Sequence, residues 1–267
     1  MTTEYTHGHH ESVLRSHRWR TAGNSAGYLL PLLEPGMRLL DVGCGPGTLT
    51  MDLADLVGPT GSVTALERTE DALDLARAEA ARRGTGNVDL VVGDAQALAL
   101  PDAGYDVVHA HQVLQHLGDP VGALREMRRV CRPGGLVAAR DSDYAAFTWF
   151  PQVPELDLWL DVYRRVARGN GAEPDAGRRL LSWTREAGFA EVTAGSSTWC
   201  FATPADREWW GGLWAERMLE SDVARQAVDR GVADGAALRR IAAGWRRWAE
   251  HEDGWFSVLH GEVLARA

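Results

Sequence analysis

Apolar residues in the first half of this chain fall in short unbroken runs, separated by stretches with helical spacing. Leu39, Leu40 and Val42 predict a buried strand over 39–42, and 48–56 follows as a helix with Leu49, Leu53 and Leu56 on one face. Further apolar runs occupy 63–67, 88–92, 105–110 and 136–139. Residues 113–117 read as helical. Asp119-Pro120 then opens a helix with a capping carboxylate and a proline at the first position; it carries Val121, Leu124 and Met127 and ends before Arg132-Pro133-Gly134-Gly135. Strands that are apolar throughout, rather than at every second residue, predict a parallel sheet covered on both faces. Beyond 141 the pattern changes. Residues 155–168 and 175–187 read as helices, the second closed by Gly188, and 191–202 reads as a strand or a bent pair. Thr203-Pro204 opens a run of helices to about 250, and 255–264 reads as a last strand. Ahead of the first strand, 12–20 and 22–33 are helical.

The first apolar run ends in Asp41-Val42-Gly43-Cys44-Gly45-Pro46-Gly47. Glycines there let the backbone turn tightly and let a ligand approach main-chain atoms. A strand, a glycine loop and a helix N-terminus make a nucleotide-type pocket. The spacing is G-x-G-x-G, and Thr48 stands where a dinucleotide fingerprint needs its third glycine. Alone, such a loop is also a plain strand-to-helix turn. Other residues agree with a pocket: Glu67 ends the second run, where an acid accepts hydrogen bonds from a ribose diol; Gly93-Asp94-Ala95 follows the third; His111 and Gln112 follow the fourth.

In this order the motifs resemble the Rossmann-like S-adenosylmethionine-dependent methyltransferases, and are similar to the ubiquinone-biosynthesis C-methyltransferase group, tightly over 37–141 and loosely elsewhere. The resemblance implies S-adenosylmethionine as cofactor. It implies a cofactor site built from Asp41, Gly43, Cys44, Gly45, Gly47, Glu67, Arg68, Asp94, Ala95, His111 and Gln112, with Asp94 at the adenine amino group. N-terminal helices fold over the cofactor in that family, so Tyr5, His9, His10, His17 and Arg20 are candidates to close the site or hold the methionine carboxylate. The implied fold is α/β: a seven-stranded, mostly parallel, doubly wound sheet with an antiparallel last strand. Within one domain, 1–36 is then a helical lid, 37–141 the cofactor core, 142–203 the rest of the sheet with an inserted helix, 204–250 a helical cap and 251–267 the final strand.

Composition narrows the partners. The chain has 267 residues and a formal net charge of −9, which disfavours a nucleic-acid backbone and leaves a small-molecule acceptor. Three scattered cysteines, Cys44, Cys131 and Cys200, suggest no disulfide framework and a reducing cytoplasm. No apolar stretch suggests a signal peptide or a membrane helix, and a monomer or homodimer is expected.

Ten of the 11 tryptophans lie at 149 or later. Leu238, Ile241, Trp245 and Trp248 have the spacing of a packed helix face. Two or three other rings would line an apolar acceptor cavity, with Trp149, just past the fifth strand, the first candidate, beside Tyr5, His116 and Tyr144 as acceptor contacts. His7, His9 and His10 in the tail lack Cys or Asp company, so a lid-like tail is preferred to a metal site and no metal is expected.

Methyl transfer from a sulfonium is mostly a matter of alignment, and a general base is needed only when the acceptor must lose a proton. Histidine suits that task near neutral pH. His111 is either that base or a cofactor contact; His116 is a base or a structural hydrogen-bonder. Arg140 clamps an acidic acceptor or pairs with Asp141 or Asp143, and Asp143 is a third catalytic candidate. The expected activity is methyl transfer to a small molecule, first to oxygen, with carbon or nitrogen open. The rivals are non-methyl chemistry on the same fold, such as decarboxylation or hydroxylation, and a cofactor-binding protein without activity.

Overall fold

The computed structural model describes residue 6 and residues 10–267. Its strands are β1 (Arg38–Val42), β2 (Ser62–Glu67), β3 (Val88–Val92), β4 (Tyr105–His111), β5 (Cys131–Ser142), β6 (Thr148–Phe150), β7 (Val192–Phe201) and β8 (Trp255–Arg266). They form one sheet in the order β3-β2-β1-β4-β5-β8-β6, with β7 paired to β8 off that path. β1, β2, β3, β4 and β5 are parallel, and β6 runs antiparallel to β8. The sheet therefore has eight strands rather than seven. The added strand, β6, is three residues long, too short for its apolar pattern to register as a strand.

The helices are α1 (Glu11–Arg18), α2 (Ala22–Ser25), α3 (Thr48–Val57), α4 (Glu70–Arg83), α5 (Pro120–Val130), α6 (Pro154–Gly169), α7 (Leu180–Glu186), α8 (Pro204–Glu220), α9 (Asp222–Asp229) and α10 (Gly235–Glu250). Local chemistry explains their ends. Asp119 accepts from Gly122 N at 2.7 Å to cap α5. Thr203 and Asp206 form a reciprocal capping box on α8. Three expected helices are shorter than the pattern suggested. The stretch 22–33 contains only α2 and a 3-10 turn, Leu30–Leu32, because Gly27 loosens it and Pro31 supplies no N–H. Residues 113–117 hold a 3-10 turn, Leu114–His116, and 175–187 begins with another, Ala176–Arg179. β5 starts at Cys131, so the Arg132-Pro133-Gly134-Gly135 stretch belongs to the strand rather than to a turn ahead of it.

The chain divides into two compact units. The glycine-loop unit holds His17–Asp141, Ala176–Ser196 and His260–Ala267; the aromatic unit holds the described residues up to 16, Ser142–Asp175 and Ser197–Leu259. In the glycine-loop unit both faces of the sheet are covered. Leu39, Val63 and Val107 pack with Leu49, Leu53 and Val57 of α3, while Leu40 and Val108 pack with Leu124 and Met127 of α5. All these side chains are nearly or fully buried, which is why β1 reads as continuously apolar.

The aromatic unit is held by rings. Trp159 of α6 meets Trp214 of α8 at 4.6 Å and Trp245 of α10 at 4.9 Å, both edge-on. Edge-on packing offers indole N–H groups a ring face, which accounts for buried tryptophan nitrogens without a conventional acceptor. Trp248 instead donates to Phe150 O at 3.0 Å. Buried Arg217 lies over the Trp214 ring at 4.5 Å and donates to Ser12 O at 2.8 Å. No described helix is long and apolar enough to cross a membrane.

Candidate active site

The site grows out of strand register. In the parallel pairing of β1 with β4, Asp41 stands beside His109, and in that of β4 with β5, His111 stands beside Arg140. A one-residue slip would send each side chain to the opposite face. The carboxyl ends of these strands therefore present a fixed set of polar groups on an otherwise apolar frame.

The glycine loop leaves β1 and opens α3. Gly43, Gly45 and Gly47 all have positive φ, at 71°, 55° and 81°. A Cβ on Gly43 would come within 2.4 Å of Val113 Cγ2, so the turn has room only for hydrogen. A Cβ on Gly45 would meet nothing nearer than His17 Nδ1 at 3.9 Å, so a side chain there would occupy the space that the loop encloses. Gly47 caps α3 without a side-chain hydrogen bond, which leaves the helix's first N–H groups available to an anionic ligand. Glu67, at the end of β2, is oriented by two main-chain donors, Gly45 N at 3.1 Å and Arg68 N at 2.8 Å. A carboxylate has about four acceptor positions, so two donors leave capacity for a diol. These features fit an adenosine-type cofactor.

A cleft beside the loop is lined by His17, Arg20, Asp41, Gly43, Cys44 and His111, among others. Thr48 Oγ1 donates to His17 O at 3.2 Å, which ties the last turn of α1 to the start of α3. Arg20 donates to Gln112 Oε1 at 2.5 Å, and Gln112 Nε2 lies 2.8 Å from His260 Nε2. Because guanidinium only donates, the Gln112 oxygen faces Arg20. Its amide nitrogen then donates to His260, whose Nε2 accepts and so carries no proton. Gln112 sits at φ 54°, a backbone strain of the kind that clusters at functional sites.

Sequence-expected residues fare differently. Asp41 is buried with both oxygens engaged: Oδ1 by His109 Nδ1 at 2.8 Å, Oδ2 by Thr50 Oγ1 at 2.6 Å. It holds the loop's base, while Gly43 and Cys44 present main chain. Burial and the nearby Asp41 and Glu67 push the Cys44 thiol up, so it is a neutral wall. Asp94 is exposed and accepts from Gln96 N at 2.9 Å; Ala95 is buried, and Gly93 N donates to Glu67 O at 2.8 Å. Arg68 is exposed.

His111 is buried, and burial together with Arg20 and Arg140 drives its pKa well below the usual histidine value. It is held as a neutral ring, which leaves it able to give or take a hydrogen bond without adding a charge. His116 is pushed down to about 3 by desolvation and Arg20, and its Nε2 lies 3.1 Å from Gln115 Nε2. The buried guanidinium of Arg140 pairs with Glu262 of β8 through Nε at 3.2 Å, and Asp141 also acts on its charge. Burial lowers it to about 10 against the pull of Glu262, so it keeps its charge at neutral pH.

Asp143, Tyr144 and Trp149 belong to the aromatic unit. Asp143 N donates to Leu259 O at 3.0 Å; Tyr144 stacks on Tyr163 at 4.1 Å; Trp149 stacks on Phe256 at 5.6 Å and is 6% exposed. Tyr5, His7 and His9 lie outside the described residues. His10 does lie with Glu216 and Glu220 of α8, within 4.8 Å of one another, but Glu216 also pairs with Arg15, whose charge opposes a cation there.

Four groups of the glycine-loop unit escaped the sequence reading: His109, His260, Glu262 and Tyr28. His109 was detectable as a polar residue inside an apolar run. The other three come from distant segments and gain meaning only when β8 and the stretch after α2 close on β5. Tyr28 is buried, and burial and Glu262 push its hydroxyl well above its usual range.

Comparison with known proteins agrees with this geometry. Residues 33–188 match the model of a methyltransferase domain family. An uncharacterized methyltransferase of Schizosaccharomyces pombe is 34% identical over 268 residues, covering 97% of this chain and 95% of that protein. A ubiquinone/menaquinone biosynthesis C-methyltransferase of Ectopseudomonas mendocina is 33% identical, covering 60% of this chain and 68% of that protein. A SAM-dependent methyltransferase structure from Aquifex aeolicus shares the fold, with a TM-score of 0.53 and 21% identity over 70% of this chain and 90% of that one. The chain belongs to the methyltransferase domain family and is an S-adenosylmethionine-dependent methyltransferase.

Proposed function

We propose that this enzyme transfers the methyl group to an oxygen of a small-molecule acceptor that carries an ionisable hydroxyl. One observation supports this most: two guanidinium groups, Arg20 and Arg140, bear on His111 at the ends of β4 and β5. A positive field favours an acceptor that gains negative charge as it reacts, such as a phenol or an enol, and opposes an ammonium. His111, kept neutral there, accepts or donates a hydrogen bond without adding a charge.

S-adenosylmethionine, when bound, supplies an electrophilic methyl group on a sulfonium. Glu67 would take the ribose diol, the segment Asp94-Ala95 the adenine, Gly43, Cys44, Gly45 and Gly47 the close approach of main chain, and Arg20 the methionine carboxylate. Gln112 holds Arg20, and Asp41 holds the loop. The test is turnover of labelled S-adenosylmethionine with matched panels of phenols and enols, amines, and carbon acids, reading S-adenosylhomocysteine and labelled product by mass spectrometry. O-methylated product is expected from the hydroxyl panel. Product from amines alone overturns the reading.

A further inference from the structure

Asp141 is fully buried near the carboxyl end of β5, beside the pair of strands that carries His111 and Arg140. Its Oδ1 accepts from Gln115 N at 3.1 Å, and Leu114 N also bears on the carboxylate, so the 3-10 turn after β4 fixes its plane. Its Oδ2 is buried and has no hydrogen-bond partner among the described residues. A buried carboxylate oxygen without a donor is costly, and folded proteins rarely keep one without a use. The charged and titratable groups that bear on it are Arg20 ahead of α2, Arg140 on its own strand and Tyr28 after α2. Glu262 of β8 acts one step removed, through its pairing with Arg140.

Building on the O-methylation reading, we infer that Asp141 is the group that takes the proton from the acceptor, with Oδ2 as the receiving atom. The acceptor O–H bond breaks and its proton passes to Oδ2. The electron pair left on oxygen forms the new bond to methyl, and the electrons of the broken methyl–sulfur bond stay on sulfur. A carboxylate and a sulfonium thus lose their charges in the same step, which a poorly solvated site favours. Burial places Asp141 at about 7, against the downward pull of Gln115, Leu114, Arg20 and Arg140. That position suits proton exchange near neutral pH, whereas His111 is driven far below it.

The experiment uses the full chain and Asp141→Asn, which keeps the oxygen that accepts from Gln115 N. Infrared titration of the cofactor-free proteins reads the protonated-carboxyl band directly. The wild type should lose a band around pH 7 that Asp141→Asn lacks. With an acceptor that the wild type methylates, Asp141→Asn should lower kcat by about 10²–10⁴-fold and abolish the rise of kcat with pH, while cofactor Kd by calorimetry stays within a factor of about three. Wild-type kcat in Asp141→Asn, or no band titrating near neutrality, overturns the inference and leaves O-methylation standing. Hydroxyl panels that yield no product, when amines do, overturn O-methylation and this inference with it.

Discussion

The two units of this molecule solve the burial of polar groups in opposite ways. The aromatic unit is built from α6, α8 and α10, whose tryptophans pack against one another edge-on and ring on ring. The glycine-loop unit buries charge: Asp41 with His109, Arg140 with Glu262, and Asp141 with a single open oxygen. Apolar rings are indifferent to small shifts in protonation, so the first unit is a scaffold whose stability is carried by area and shape. Buried charges are sensitive to every neighbour, and the chemistry proposed above rests on those of the second unit. Trp149 and Tyr144 belong to the first unit's ring packing, stacked on Phe256 and Tyr163.

The sharpest way to break this contrast is to empty the ring cluster. Trp159→Ala removes a fully buried ring at the meeting of three helices and should cost about 3–5 kcal/mol in urea unfolding, with cofactor affinity unchanged in the protein that remains folded. Parallel loss of affinity would show that the rings are not merely a scaffold.

Charge burial predicts a stability that depends on pH. Asp141 is raised to about 7 from an unfolded value of about 3.9. Its neutral form is the one that suits the folded state, so its contribution is complete below about pH 4 and falls as pH rises through 7. Asp141→Asn should therefore raise the unfolding free energy at pH 8 by up to about 4 kcal/mol, and by much less at pH 5, read by urea unfolding. An equal shift at both pH values would show that the carboxylate is not destabilising in the fold.

Smaller again is the loss of one carboxylate at the loop. Glu67→Ala should weaken S-adenosylmethionine binding by about 1.5–3 kcal/mol in calorimetry and leave the urea midpoint nearly unchanged. Unchanged affinity would remove Glu67 from the cofactor site. The least effect is expected from chelation. EDTA should leave turnover intact, because methyl transfer needs no Lewis acid; activity lost with EDTA and restored by a divalent ion would promote His10, Glu216 and Glu220 to ligands.

How much of this was readable beforehand follows the range of the forces involved. β1, the glycine turn and α3 were legible because a run of buried apolar residues, three positive-φ positions and a helical face are all contained within 20 residues. The caps at Asp119 and Thr203 were legible for the same reason. β6 was missed because three residues carry no period, and the helix over 22–33 was overextended because the apolar spacing outweighed the breaks that Gly27 and Pro31 make in it. Of the candidate cofactor residues, Glu67 was named from its place at a strand end and Asp94 from the family resemblance. Glu262 was not legible as a partner of Arg140, because it lies 122 residues away and reaches Arg140 only when β8 folds beside β5.

The sequence by itself determined the alternation of strand and helix, the cofactor loop and the concentration of tryptophan in the later half. These depend on residue type and spacing, which a chain carries wherever it folds. The tertiary structure alone decided which ionisable groups are buried together, and hence that His111 is neutral, that Gln112 joins Arg20 to His260, and that Asp141 stands near neutrality with one oxygen open. Protonation is set by desolvation and by charges a few ångströms away. Those distances come into being only when β4, β5 and β8 lie side by side.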